Sequence, residues 1–328
     1  NIGALKNEKE VTKYARIWED IEGKHGEDFD RFLQFIRTIL VQDKARANLL
    51  EEFNDKIYYL KSPVKARLQP GKETFELIDR YNTIYEEIID LQNDALSNEF
   101  KNLITVMKIG MRSDDWIPPI MHYYLKFGPN KIDTFLKRLE YKFTGDWVCG
   151  ITPTSRLEAM NSILKAIDNT HASNINKLLD NKKLFKIDEA DFRGYIQGNL
   201  YGKQYCRYLL LKIECLLSDN TVHLSGYKYI TVEHVLPQNP KAKSQWRVDF
   251  NDDERLAWTN KLANLVLISQ KKNSALGNLD FDEKKSTYLK KRIDAFHANK
   301  IFIEKNKKWN PSTLDKRQKE LVDLLIGN

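Results

Sequence analysis

Apolar residues recur every three to four positions through the first two thirds of the chain, the spacing of one helix face. Val11, Tyr14, Ala15, Ile17 and Trp18 predict a helix over 11–21. Phe29, Phe32, Leu33, Phe35, Ile36, Ile39 and Leu40 repeat the pattern over 28–41. A third stripe runs from Phe75 through Leu77, Ile78, Tyr81, Ile84, Tyr85 and Ile88, predicting a helix over 74–91. Ile117-Pro118-Pro119 opens another, because proline suits the first helical turn. Further helices are predicted over 121–127, 132–143, 152–169 and 201–217, with breaks at Gly128-Pro129-Asn130 and around Gln69-Pro70-Gly71. Residues 1–218 are therefore expected to form one all-helical domain.

The pattern changes after residue 218. Tyr229-Ile230-Thr231-Val232 is β-branched and aromatic and predicts a strand. It runs into Glu233-His234, and Pro237 opposes its continuation. Leu265-Val266-Leu267-Ile268 predicts a second strand, with Asn264 just before it and Asn273 on the segment that follows. Residues 282–296 and the stretch after Asn310-Pro311 then return to helical spacing, with Asn310 as N-cap. Residues 219–328 are expected to form a small α+β domain, so the chain as a whole is mainly α.

The residues around the strand ends suit phosphodiester hydrolysis. Neutral imidazole is a good base near pH 7, which makes His234 the candidate that activates water. A hard divalent cation neutralises charge on the scissile phosphate and binds oxygen ligands while keeping several waters. Glu233 and Asn273 are the expected ligands of one Mg²⁺ or Mn²⁺. Asn264 is expected to serve the catalytic site by holding the loop and the His234 carbonyl or ring. Neighbouring strand residues point to opposite faces. For Glu233 and His234 to share a site, the strand is expected to end or bend at this point.

This order of residues resembles the layout of HNH, or His-Me finger, nucleases, and the nine-residue step from Asn264 to Asn273 matches it. Glu233, His234, Pro237, Asn264-Leu265, Asn273-Ser274, Phe281 and Lys284 together resemble the C-terminal nuclease domain of GmrSD-type modification-dependent restriction enzymes. Cys149-Gly150 and the following helix look like that family's helical middle region. The resemblance implies a metal-dependent DNA endonuclease of a restriction or anti-phage system, acting on modified or foreign DNA. It also implies a nucleotide-hydrolysing partner domain upstream. No phosphate-cradling glycine motif and no initiator Met occur here, so the chain is expected to be a C-terminal fragment, with any NTP handled by that absent domain.

Charge sharpens this picture. Residues 219–328 carry 20 Lys and Arg against 14 Asp and Glu, whereas residues 1–218 carry 33 against 32. The basic excess lies with the candidate nuclease, where phosphate is to be met. Lys271, Lys272 and Lys284 stand nearest Asn273 and are the expected phosphate contacts. The ordinary alternative is a solvated face, which also covers Lys305 to Lys308. Lys284, Arg292 and Arg317 have the same two readings, and Arg317 is otherwise expected to dock the last helix.

The other chemistry-bearing residues read as structural. His25, His122, His171, His223 and His297 lack partners at metal-ligand spacing. The aromatic stripes are core rather than base-stacking platforms. Three cysteines without a C-x-x-C pair are expected to be reduced thiols in a cytoplasmic protein, with Cys149 and Cys206 in the core. No apolar run reaches the length of a membrane span. The competing functional reading is a DNA-binding or regulatory module that keeps the nuclease fold without cleaving.

Overall fold

A computed structural model describes residues 2–60, 65–218, 229–290, 297–304 and 308–327. The expected roles of His223, Arg292, Lys305 and Lys307 and the end of the helix expected over 282–296 lie outside the described residues, as does the His297 side chain. The described chain is mainly α, with one two-stranded sheet. The strongest apolar stripes become helices Glu8–His25, Phe29–Val41, Ile117–Phe127, Ile132–Val148 and Pro153–Asp168. The stripe over 74–91 forms Lys72–Ile84, and its last turn widens into a π-helix, Tyr85–Ile89. The helix expected from Tyr201 begins later, at Cys206–Leu217, because Tyr201-Gly202 turns first and Gly202 takes φ 83°.

Two compact units result. The first comprises Asn1–Ser97, Ser113–Phe143 and Ile151–Lys186; the second comprises Asn98–Arg112, Thr144–Gly150 and Ile187–Asn328. This replaces the expected division at residue 218. The physical reason is that Cys206–Leu217 cannot be parted from what it covers. It packs on the helix Asn98–Gly110 and on the second strand, burying Tyr208, Leu209, Leu210, Leu211 and Ile213. Gly110 allows the approach: a Cβ there would stand 2.8 Å from the Tyr208 ring.

In the first unit, Tyr14 stacks on Phe75 with ring centroids 5.3 Å apart. The buried Arg37–Glu52 ion pair, at 2.5 Å, ties Phe29–Val41 to the helix Leu49–Glu52. Glu52 also accepts from the main-chain N–H of Arg46 (2.8 Å) and Ala47 (3.2 Å), so the pair fixes the loop between those helices.

In the second unit, β1 (Ile230–His234) pairs antiparallel with β2 (Leu265–Ser269), in the register Glu233↔Val266 and His234↔Leu265. Leu265 to Ile268 are all buried, which explains an unbroken apolar run rather than alternation. The core beneath contains Val235, Leu236, Trp246, Phe250, Val266, Ile268, Tyr288, Phe302, Trp309 and Leu314. Helices Gln270–Leu276 and Phe281–Leu289 follow directly, the latter opened by a capping box of Asp280 and Glu283. Helix Pro311–Ile326 closes the unit, and its N-cap is Asn310, whose side chain accepts from Thr313 N–H at 2.9 Å.

Candidate functional site

β1 stays paired through His234 and ends there, so of the two expected alternatives the strand ends rather than bends. The two side chains meet different neighbours. Glu233 is buried, 5% exposed, while His234 is half-buried. The His234 ring lies edge-on to Tyr201, with centroids 4.2 Å apart. Its Nε2 faces the side-chain oxygen of Asn260 at 3.2 Å. Burial holds the imidazole below its ordinary range, the Asn260 contact opposes this, and the nearby Lys284 ammonium adds to it.

Glu233 is paired with Lys284. The Lys284 ammonium donates to Glu233 Oε1 at 2.6 Å and to the His234 carbonyl at 2.8 Å, and its side chain is fully buried. Burial pushes the Glu233 carboxyl up and the Lys284 ammonium down, and their attraction opposes both shifts. Lys284 is thus closed to a phosphate. The same holds for Lys272, which is 8% exposed. Its ammonium donates to the carbonyls of Tyr288 and of Lys290, the latter at 2.7 Å, capping the end of helix Phe281–Leu289. Two of the three expected phosphate contacts are therefore structural, and Lys271 alone is exposed. The run Lys271-Lys272 spans two helical positions about 100° apart, so one side chain turns inward.

Asn273 reaches β1 from helix Gln270–Leu276. Its amide N–H₂ donates to Thr231 Oγ1 at 2.7 Å and to the Val232 carbonyl at 3.2 Å. Thr231 and Glu233 are two apart in the strand, so the amide joins the strand face that carries Glu233. These bonds use only the nitrogen and leave the amide oxygen as a hard donor. Besides Lys284, the His234 main-chain N–H donates to the Glu233 carboxylate. Among the described residues no three His, Cys, Asp or Glu side chains gather as a metal cluster. An oxygen pair with water completing the shell is still a donor set that Mg²⁺ accepts.

Asn264 is fully buried and saturated. Its amide oxygen accepts from Leu236 N–H at 2.7 Å and from Trp309 Nε1 at 3.0 Å. Its N–H₂ donates to the carbonyls of Leu236 at 2.9 Å and Thr259 at 2.8 Å. The bonds expected to His234 itself are absent, because the amide spends its whole capacity elsewhere. Asn264 clamps the chain two residues beyond His234 and so acts through the loop. Arg317 docks the last helix as expected, though on a carbonyl rather than a carboxylate: its Nε donates to Ala263 O at 3.0 Å.

Asn260 and Tyr201 escape sequence reasoning. Tyr201 reads as the start of a helical stripe and Asn260 belongs to no motif; a main-chain contact joins them. The Asn260 carbonyl accepts from Leu200 N–H at 2.8 Å and from Tyr201 N–H at 3.1 Å.

His25 and His122 have structural roles. His25 contacts Asn82 at 2.9 Å and stacks on Phe32. His122 lies between Tyr81, at 3.0 Å, and Asp168, at 2.6 Å. Cys206 is buried, as expected, and its thiol is pushed up to about 12; Cys149, expected in the core, is only half-buried, as is Cys215, and none of the three is in a disulfide.

Residues 168–324 match the family model described as GmrSD restriction endonucleases, C-terminal domain. The C-terminal part of this chain is of the GmrSD type. The candidate site lies wholly within the GmrSD-type region, from Tyr201 and β1 to the last helix. No curated protein matches the chain. No described helix of the chain is long and apolar enough to cross a membrane.

Proposed function

We propose that the GmrSD-type region, through residues 219–328 of the second unit, hydrolyses phosphodiester bonds in DNA as an HNH-type endonuclease of a restriction or anti-phage system. The observation that carries this reading is the state of His234. It is half-buried at a strand end and tied at one ring nitrogen, and burial favours its neutral form. A neutral imidazole with one nitrogen engaged presents the other as a base for water. Asn264 holds the chain that leaves this strand, which keeps the base in place.

Glu233 and Asn273 are the residues that would hold one Mg²⁺ or Mn²⁺. Such an ion would supply charge neutralisation at the scissile phosphate. Lys284 sets the position of the carboxylate and of the His234 carbonyl together. The substrate is modified or foreign DNA, and a nucleotide-hydrolysing domain is the partner, as the resemblance implies.

A plasmid-nicking assay with and without Mg²⁺ or Mn²⁺ tests the reading. Wild-type protein is expected to cleave. His234→Ala is expected to bind DNA equally well and cleave about 10²–10⁴-fold more slowly, the contribution of a positioned base. Equal cleavage by a folded His234→Ala protein removes His234 from the mechanism. Binding without any cleavage by wild type supports the regulatory module instead.

A further inference from the structure

Asn260 makes a contact to the candidate base that no motif residue makes. Its side-chain oxygen faces His234 Nε2 at 3.2 Å and Gln238 Nε2 at 3.4 Å. Two nitrogens converge on one atom, and the Gln238 amide nitrogen is always a donor. An acceptor must therefore stand between them, which fixes the orientation of the Asn260 amide. An acceptor opposite Nε2 is satisfied by neutral imidazole only when Nε2 carries the proton. The lone pair then lies on Nδ1.

The Tyr201 ring closes the side of the imidazole, with an interplanar angle of 62°. Tyr201 is itself held by the Asn260 carbonyl, next to the Asn199↔Lys261 bridge. One residue thus grips the imidazole through its side chain and the imidazole's neighbour through its main chain. Asn264 cannot share this task, because all its hydrogen-bonding capacity is used by Leu236, Thr259 and Trp309.

We propose that Asn260 is the positioning residue of the site: it holds His234 as the Nε2–H tautomer, with Tyr201 as the stop that prevents the ring from turning over. The proposal builds on His234 as base, but the tautomer is a property of the protein whether or not it cleaves. It also extends the site upstream of residue 219, because the segment Asn199–Tyr201 contributes to it.

Long-range ¹H–¹⁵N spectra of the full chain with ¹⁵N-histidine test this, with His234→Ala assigning the resonance. At pH 8, wild type is expected to give the Nε2–H pattern for His234. Asn260→Ala is expected to lose that pattern in favour of a mixture. Its kcat should fall about 10–100-fold, the usual cost of losing an orienting partner, with KM and DNA affinity unchanged. Asn260→Asp keeps an acceptor at the same place and is expected to keep the tautomer. An Nδ1–H pattern in wild type overturns the proposal, even if Asn260→Ala does not fold. So does an Asn260→Ala protein with the wild-type tautomer and kcat. A wild type that shows Nε2–H but never cleaves leaves the tautomer lock standing and removes the nuclease reading.

Discussion

Asn264 and Lys284 are buried polar residues whose value comes from what they keep apart from water. Truncating Asn264 to Ala orphans Leu236 N–H and the Trp309 indole N–H in a dry core. Each unsatisfied group costs about 1–3 kcal/mol, so Asn264→Ala is expected to lose about 3 kcal/mol or more, read by denaturant unfolding. A loss within experimental error would mean that the loop after His234 is held by something else. Lys284→Met leaves Glu233 buried without a countercharge, which typically costs about 3–5 kcal/mol. Its DNA affinity, once folded, should match wild type. Lys271→Glu should do the opposite, leaving stability intact and weakening DNA binding. His234 also predicts a pH response. Its folded-state value lies below the ordinary 6.5, so the unfolded chain takes up a proton first as pH falls. Stability should therefore decline as pH drops through the window below about 6.5, and less so in His234→Ala. Cleavage should fall off at a lower pH than an ordinary imidazole base would impose, because burial lowers the His234 value.

At the scale of elements, the last helix acts on the site without touching it. Arg317 holds the Ala263 carbonyl, and Gln318 accepts from Ala263 N–H at 2.8 Å while donating to Ile196 O at 3.2 Å. Both polar groups of one peptide residue are thus gripped from Pro311–Ile326, just before Asn264 begins its own clamp. The turn Leu262–Asn264 is set between β2 and this helix. Gln318→Ala is expected to destabilise by about 1–3 kcal/mol through the orphaned Ala263 N–H. It should lower the cleavage rate while leaving DNA affinity alone; a weakened affinity would show instead that the helix contacts DNA.

For the molecule as a whole, charge sets how DNA is met. The excess of 20 basic over 14 acidic residues after position 218 makes phosphate the natural target. Phosphate contacts position a protein without reading sequence. Binding of random DNA is expected to be weak and to fall steeply with salt, by about one unit of logarithmic slope per contact. With Lys272 and Lys284 turned inward, their substitution should leave that slope unchanged, and Lys271→Glu should lower it by about one. Tight, salt-insensitive binding to one sequence would contradict this view and point to a dedicated reader elsewhere in the chain.

How much of this was legible from the sequence depends on the range of the forces involved. Helical stripes such as Phe29 to Leu40, the two strand segments taken singly, and the Asn310-Pro311 start are local. Side-chain period and capping decide them, and the amino-acid order alone determined them. The order Glu233, His234, Asn264, Asn273 was equally readable as a constellation. The helix Asn98–Gly110 carries β-branched Ile104-Thr105-Val106, and its packing on Cys206–Leu217 settles its state. Which lysines face water was decided only in three dimensions. Burial is a property of neighbours, and the carboxylate and carbonyls that accept from Lys272 and Lys284 lie 16 to 51 positions away. The partner of His234 was hidden for the same reason. Asn260 is ordinary in its own stretch, and it meets the imidazole only because the antiparallel register brings the turn before β2 beside the end of β1.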